Sequence, residues 1–450
     1  MTARLGTTGD DSLLGTPRAE FIVGDPYASD PATPGDLGDL TGLAGADTIH
    51  GSRGADTLVG DALRADGTEA RGGADVLSGG EGDDWIAGDA ISLSGSSGGG
   101  DDLLDGGAGN DTLYGDASVM GGVFYIARGG NDTLHGGAGD DWIHGDGLPL
   151  GHGGVRAGND LLDGGDGADT LVGDSPADRE GRMGADTLDG GADGDLMYGD
   201  SRSELMATTG GDDILAGGRG GDTLFGDAMV MDYGTNGGAD SLDGGGGDDL
   251  LYGDASGLAL SASGGKDTLH GGAGGDTLVG DASYMAIGDE RPADDLLLGG
   301  RGRDVLFGDF QAATSFRYLP LGNDSLAGGG DADTIYGDAA TVNGNAVCGA
   351  DTIRGGAGND LLHGDAASIA PDVTRGADLF VFEGRFGRDT VADFHQGEDR
   401  LAFDLRGITG LDDLSIVVGA TDTVITAGRF GSITLAGFTA ALTASDLVFS

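Results

Sequence analysis

The chain has one cysteine, Cys348, in 450 residues, so no disulfide can form within it. It has one lysine, Lys266, and only 23 Lys plus Arg against 77 Asp plus Glu, a formal net charge of −54. Nucleic acid, which is bound through clustered Lys and Arg, is excluded as a partner, and an anionic membrane surface is disfavoured for the same reason. No apolar run approaches the roughly 18 residues of a membrane-spanning helix, so no transmembrane segment is expected. The first residues, MTARLGTTGDD, have no apolar stretch, so no cleavable N-terminal signal peptide is expected. A compact chain of this charge repels itself, and bound cations follow from that alone.

What is abundant is glycine, at 98 residues, far above the usual share of about 7%. High Gly and high charge can mark disorder. Here the hydrophobic 38% recurs at fixed intervals instead. Residues 106–116 read GGAGNDTLYGD, 271–281 read GGAGGDTLVGD and 355–365 read GGAGNDLLHGD. The underlying unit is nine residues, Gly-Gly-x-Gly-x-Asp-x-U-x, with U a large aliphatic side chain.

The nonapeptides come in pairs, A then B. The A aliphatics are Ile49, Leu77, Leu104, Leu134, Leu162, Leu188, Leu215, Leu242, Leu269, Leu297, Leu326 and Ile353. Nine residues later stand the B aliphatics Leu58, Ile86, Leu113, Ile143, Leu171, Met197, Leu224, Leu251, Leu278, Leu306, Ile335 and Leu362. From a B position to the next A position the interval varies from 17 to 21 residues. A worn copy, Asp11-Ser12-Leu13 and Glu20-Phe21-Ile22 followed by Gly24-Asp25, precedes them, and Pro26, Pro31 and Pro34 mark a longer loop. Residues 1–44 therefore read as a degenerate cap, which a solenoid needs, and 45–377 as the array.

These in-register nonapeptides resemble the RTX proteins, whose repeats of the haemolysin type bind calcium in a parallel β-roll. The fold expected is all-β: a parallel β-solenoid of about 12 two-nonapeptide modules, followed by an antiparallel β domain over 378–450. Calcium takes six to eight hard oxygens from carboxylates and carbonyls. Glycine permits the positive φ that turns carbonyls toward an ion, so Gly107, Gly109, Gly137, Gly139, Gly272, Gly274, Gly356 and Gly358 are candidate contributors. One loop offers too few oxygens, so each ion is expected between stacked loops, in rows along both edges, on the order of 20 ions in all. The candidate ligands of the B halves are Asp56, Asp84, Asp111, Asp141, Asp169, Asp195, Asp222, Asp249, Asp276, Asp304, Asp333 and Asp360. Those of the A halves are Asp47, Asp75, Asp102, Asp132, Asp160, Asp186, Asp213, Asp240, Asp267, Asp295, Asp324 and Asp351, with Asp378 after them. Some loops depart from the pattern: Asp193 replaces the third glycine, and RPAD precedes Asp295.

A third acid ends every B half in Gly-Asp: Asp61, Asp89, Asp116, Asp146, Asp174, Asp200, Asp227, Asp254, Asp281, Asp309, Asp338 and Asp365. It reads as a turn former bonding its own backbone, or as an extra ligand on the A side. The segment between B and the next A halves also has two readings. Its variable length favours an excursion from a two-stranded coil. Its common length of 18 residues, and the alternation of ASGLALSAS at 255–263, suit a third strand. The residue after the B aliphatic is often apolar, as at Tyr114, Tyr198, Phe225, Tyr252 and Phe307. Such a ladder is either covered by the excursions or a glycan-binding stripe. His50, His135, His144, His270 and His363 fall at that same position after U and read as outward strand residues rather than zinc ligands. Asn110 and Asn131 match a glycosylation acceptor pattern, which their place in the repeat explains better.

After Asp378 the grammar changes to short alternating strands, LFVF, DTVADF, DRLAFDL, LSIVV, DTVITAG and GSITLAGF. This region and the terminal TASDLVFS are similar to the C-terminal domains of type I secreted RTX proteins. The resemblance implies export through a type I ABC secretion apparatus of a Gram-negative bacterium, a secreted, extracellular location and calcium ions as partners; the apolar ladder makes cell-surface glycans a further candidate. No HExxH site occurs, and the one G-x-S-x-G string, residues 95–99, lies inside the repeat array with no strand-to-helix elbow expected there; no enzyme is expected. The function expected is that of a calcium-binding structural, surface or interaction protein; the alternative is an RTX-type enzyme or toxin accessory whose catalytic part is not recognisable.

Overall fold

The computed structural model describes residues 2–7, 9–24, 39–40, 44–62, 64–67, 70–121, 127–149, 155–174, 182–285 and 290–450. The Pro26–Pro34 loop, and the centre of the 119–127 excursion, lie outside them. The chain forms two compact units, one of Met1–Met229 with Gly234–Gly238, the other of Val230–Tyr233 with Ala239–Ser450.

In the N-terminal unit seven A strands, from Thr48–Arg53 to Ile214–Arg219, pair side by side in parallel. Seven B strands, Thr57–Val59 to Thr223–Phe225, do the same. The register places like on like: Leu104 sits between Leu77 and Leu134, and Leu113 between Ile86 and Ile143. The A and B aliphatics are all buried. Each contributes roughly 1.5–3 kcal/mol by burial, and the sum over coils, rather than any one contact, forms the core. The worn copy is a true first coil. Ser12–Leu14 pairs with Thr48–His50, Glu20–Val23 pairs with Thr57–Val59, and Thr2–Leu5 adds an outer strand against Glu20–Val23.

The C-terminal unit repeats the arrangement with five A strands, Ser241–Gly246 to Thr352–Ala357, and five B strands, Leu250–Tyr252 to Leu361–His363. The coil continues past the recognisable repeats. Leu379–Glu383, Arg400–Asp404 and Leu447–Phe449 extend the A sheet in parallel. Gly387–Val391 and then Gly431–Leu435 extend the B sheet in parallel. Among the described residues, antiparallel pairing is confined to the meander of Ser415–Val418, Thr423–Thr426 and Gly431–Leu435. Here phenylalanine replaces leucine inside: Phe380, Phe382, Phe386 and Phe403 are fully buried, with Phe382 and Phe403 stacked at 5.7 Å.

The two-stranded coil that the variable spacing favoured is not formed. A third parallel strand follows the Gly-Asp of the B half. Ala90–Gly95 pairs with Ala117–Met120, and that with Gly147–Pro149. In the C-terminal unit Ala255–Leu258, Ala282–Met285, Phe310–Pro320, Ala339–Val347 and Ala366–Ile369 pair in turn. The reason is backbone satisfaction: an excursion would leave buried N–H and C=O groups unpaired, whereas stacking on its copies pairs them. The varying length is taken up beyond the strand, as between Ser315 and Leu319, where the register slips. Small residues open these strands, and Ala62, Ala90, Leu93, Ala117, Met120, Ala127 and Val155 build a second small core.

The third strands also close the outer face of the B sheet. Val59, Tyr114, Val172, Tyr198, Phe225, Tyr252, Val279 and Phe307 are buried. Arg202 of a third strand lies over the Trp142 ring at 4.5 Å. The ladder stacks within itself, Tyr198 on Phe225 at 4.9 Å and Phe307 on Tyr336 at 5.0 Å. A bare glycan-binding stripe is therefore not present there. The same cover corrects the histidines: His144 and His363 are buried, stacked on Tyr114 at 5.6 Å and Tyr336 at 4.9 Å. His135 and His270, on A strands, are less buried and meet Asp163 and Asp243.

If the third strands are structural, Leu93→Ala should destabilise by about 2–5 kcal/mol, the usual range for a buried Leu→Ala change. The loss should concentrate in adjacent coils. Amide hydrogen exchange in calcium should show faster exchange around residues 62–120 and little change beyond residue 380; a uniform change, or none, would contradict this.

Candidate metal centres

Each aspartate of the two nonapeptide rows is a rung. The backbone N–H of one aspartate donates to Oδ1 of its equivalent in the next coil. In the A row of the N-terminal unit the chain runs Asp11, Asp47, Asp75, Asp102, Asp132, Asp160, Asp186, Asp213. In its B row it runs Glu20, Asp56, Asp84, Asp111, Asp141, Asp169, Asp195, Asp222. These bonds span 2.6–2.8 Å. In the C-terminal unit the A row runs Asp240, Asp267, Asp295, Asp324, Asp351, Asp378 and the B row Asp249, Asp276, Asp304, Asp333, Asp360. The ladder persists at the two departures named above. Asp195 keeps its bonds because Asp193 adopts the left-handed conformation, φ 76°, of the glycine it replaces. Asp295 keeps its bonds although RPAD precedes it.

One oxygen is thus spent on the backbone and the other is left over. Oδ2 is buried with no hydrogen-bond partner on Asp102, Asp132, Asp160, Asp186, Asp295, Asp324 and Asp351 of the A row. The same is true of Asp56, Asp84, Asp111, Asp141, Asp169, Asp195, Asp276, Asp304, Asp333 and Asp360 of the B row. Buried acceptors without partners are rare in native proteins. Rows of them are a donor set waiting for a cation.

The third acid stands beside the A row, and its backbone bond is made to a residue 10 to 14 places on rather than within its own turn. One oxygen accepts a backbone N–H across the third strand: Gly130 to Asp116 at 3.0 Å, Gly349 to Asp338 at 2.7 Å. The carboxylate also joins the A row. Asp47, Asp61 and Asp75 each place one oxygen within 4.8 Å of the others, as do Asp75, Asp89 and Asp102, and Asp146, Asp160 and Asp174. Two unit charges at that distance repel by roughly 3 kcal/mol at an effective dielectric of about 20. A triad holds three such pairs, so a single one costs about as much as the 5–15 kcal/mol net stability of a typical domain. The ionised rows need counter-charge.

The loop glycines have the conformation required of them, with one exception. Gly107, Gly109, Gly137, Gly139, Gly272, Gly274 and Gly356 have φ between 97° and 148°. A Cβ on Gly107, Gly109, Gly137 or Gly139 would strike a carbonyl of the preceding coil, so the loops stack backbone on backbone. Gly358 is not left-handed; its N–H donates to the Phe386 carbonyl, and Gly387 bridges to it where the last coil is capped. Asn131 and Asn159 form an exposed ladder beside the A row, Asn159 N–H to Asn131 Oδ1 at 2.9 Å. That is their structural use.

Sequence reading missed three acids. Asp360 N–H donates to Asp389, Asp378 N–H to Asp399, and Gly364 N–H to Asp393. The rows therefore run into the C-terminal strands. The clue was present: Gly387-Arg388-Asp389-Thr390-Val391 and Gly397-Glu398-Asp399-Arg400-Leu401 keep Gly-x-Asp-x-U without the glycine pair. Two guanidinium groups stand at the ends. Arg4 pairs with Glu20 at 3.2 Å in the first coil, and Arg375 with Asp365 at 3.3 Å at the last third acid.

Twelve stretches of the chain match the family model for the RTX calcium-binding nonapeptide repeat (4 copies): residues 37–62, 69–90, 96–118, 125–147, 156–178, 180–202, 207–228, 235–256, 260–283, 292–312, 321–340 and 349–368. The chain belongs to the RTX family. It is a calcium-binding RTX repeat protein, and the oxygen-only rows are the donors a hard cation takes. No curated protein matches the chain.

Burial, and then neighbouring carboxylates, push Asp84 and Asp141 up to about 7 and Asp333 up to about 8 in the metal-free RTX fold. In the unfolded chain an aspartate titrates near 3.9. Between those values the folded metal-free state holds more protons than the unfolded one, so its stability falls as pH rises from about 4 to 8. Chelator-treated protein should therefore gain β-structure by circular dichroism on acidification from pH 8 to 5. Calcium, competing with those protons, should bind more weakly at pH 5; the opposite trend in either titration would contradict the assignment.

Proposed function

We propose that this RTX protein is a secreted structural or interaction component that folds on calcium outside the cell. The rows of buried carboxylate oxygens without hydrogen-bond partners carry the reading. Ions would lie between the stacked loops. On the A side each would draw on two successive A-row aspartates and the third acid between them; on the B side, on two successive B-row aspartates and the loop carbonyls. About one ion per loop pair on each edge gives on the order of 20 ions, enough to offset most of the −54 charge. Extracellular calcium modules work at about 10⁻⁴–10⁻³ M. In a calcium-poor cytosol the rows would repel and the chain would stay open, in a form a narrow channel can pass. Outside, each coil needs only its neighbour to fold, and folding from the C-terminal end would hinder return. We take residues 1–44 as the cap, 45–377 as the array and 378–450 as the domain read by a type I ABC apparatus. The similarity of TASDLVFS to uncleaved export signals supports the last.

Two measurements test this. Circular dichroism should show coil in chelator and β-structure in millimolar calcium at pH 7.5; a spectrum indifferent to chelation would remove the calcium-folding reading. Removing residues 443–450 should abolish export by a strain carrying only type I machinery, while the calcium-induced β-structure of the purified protein persists. Unchanged export of the shortened chain would overturn the proposed route and leave the calcium reading standing.

A further inference from the structure

One coil breaks the all-oxygen rule. In several coils the residue before the A-loop glycine is itself glycine, and a Cβ there would strike a third-acid carboxylate. A side chain on Gly99, Gly129, Gly210 or Gly264 would meet Asp116, Asp146, Asp227 or Asp281 respectively. The chain's single cysteine occupies this position at 348. It is buried, and its sulfur and one carboxylate oxygen from each of Asp338 and Asp365 lie within 4.8 Å of one another.

The two carboxylates are already oriented. Asp338 accepts the Gly349 N–H through Oδ1 at 2.7 Å. Its Oδ2 is buried with no hydrogen-bond partner, on a residue with no exposed surface. Asp365 accepts the Gly376 N–H through Oδ1 at 2.6 Å, and its Oδ2 faces Arg375 at 3.3 Å. Metal-bound carboxylates are commonly held by such outer hydrogen bonds.

We propose that Cys348, Asp338 and Asp365 form a mixed thiolate–carboxylate site that takes one zinc-like divalent cation in place of calcium. Calcium is hard and seeks oxygen alone; a thiolate shifts preference to zinc and its neighbours. On binding, a metal–sulfur bond replaces the S–H bond and the thiol proton leaves to solvent. Three protein donors leave one tetrahedral position for water. The charges balance: a thiolate and two carboxylates against the dication and the Arg375 guanidinium. Arg375 thus stands as a fixed neighbour that keeps the site neutral.

Cobalt(II) is the probe, because a thiolate ligand gives it a sulfur-to-metal charge-transfer band in the near ultraviolet. The protein is first saturated with millimolar calcium, so that the calcium-folded array is intact. One equivalent of cobalt should then produce the band, one equivalent of zinc should abolish it, and more calcium should not. Cys348→Gly, which restores the residue of other coils, and Cys348→Ser should both lack the band while keeping the calcium-induced circular dichroism. Should either variant fail to fold, alkylation of the wild-type thiol decides: zinc should slow it and added calcium should not. Absence of the band in calcium-loaded wild-type protein, or its survival in Cys348→Gly, would overturn the site without touching the calcium rows.

Discussion

Everything in this molecule depends on stacking identical carboxylates on one another. Parallel, in-register pairing sets each residue above its equivalent, about 4.8 Å away. For leucine that is favourable, since like side chains pack. For aspartate it is costly, since like charges meet in a buried place. The chain keeps both because the aspartate does two jobs with two oxygens. Oδ1 caps the backbone N–H of the preceding coil's aspartate, and so fixes register. Oδ2 is left over, and when ionised its cost is offset by a cation between coils. Register and metal binding are therefore one constraint: a slip of one residue would lose both.

The ends of such rows need separate treatment, because a terminal carboxylate has a neighbour on one side only. Arg4 at Glu20 and Arg375 at Asp365 place a covalently tethered cation at those points. A guanidinium suits this role, since it stays charged and its fork matches a carboxylate. The C-terminal strands do the complementary work. Asp389, Asp393 and Asp399 accept the last backbone donors of the repeats, over a core rich in phenylalanine.

Much of this was legible beforehand. The nine-residue spacing located the A and B strands of the repeats, and the single aliphatic in each located the core between them. The worn copy around Leu13 and Ile22 proved to be a coil because its spacing survived even where its glycines did not. The third strand was harder. Its exposed face mixes polar residues with large apolar ones such as Met229, Tyr284 and Tyr318, so no clean alternation marks it, and its varying length resembles a loop. What makes it a strand is pairing with its own copies, which no single segment reveals. His144 and His363 were misjudged for the same reason: alternation said outward, and outward is normally wet, but the third strand covers that face. Asp389 and Asp399 were hidden because the glycine pair, the loudest part of the motif, had gone.

The position before the A-loop glycine shows how a repeat protein can vary its chemistry without losing its fold. Where it is glycine, as at Gly99, Gly129, Gly210 and Gly264, the third acid of the next coil leans into the space above it. Ala157, Met183, Pro292, Leu321, Cys348 and Arg375 stand there in other coils, and the backbone bond to the third acid survives each, as from Gly184 to Asp174 and from Gly322 to Asp309. The rungs come from the backbone and the aspartates, so this neighbouring side chain is free to change. It is free, too, to change what each coil's carboxylates face: open space, a hydrocarbon wall, a thiol or a guanidinium. A row of nominally identical sites is then graded coil by coil at a single position, while the ladder that fixes the fold stays the same.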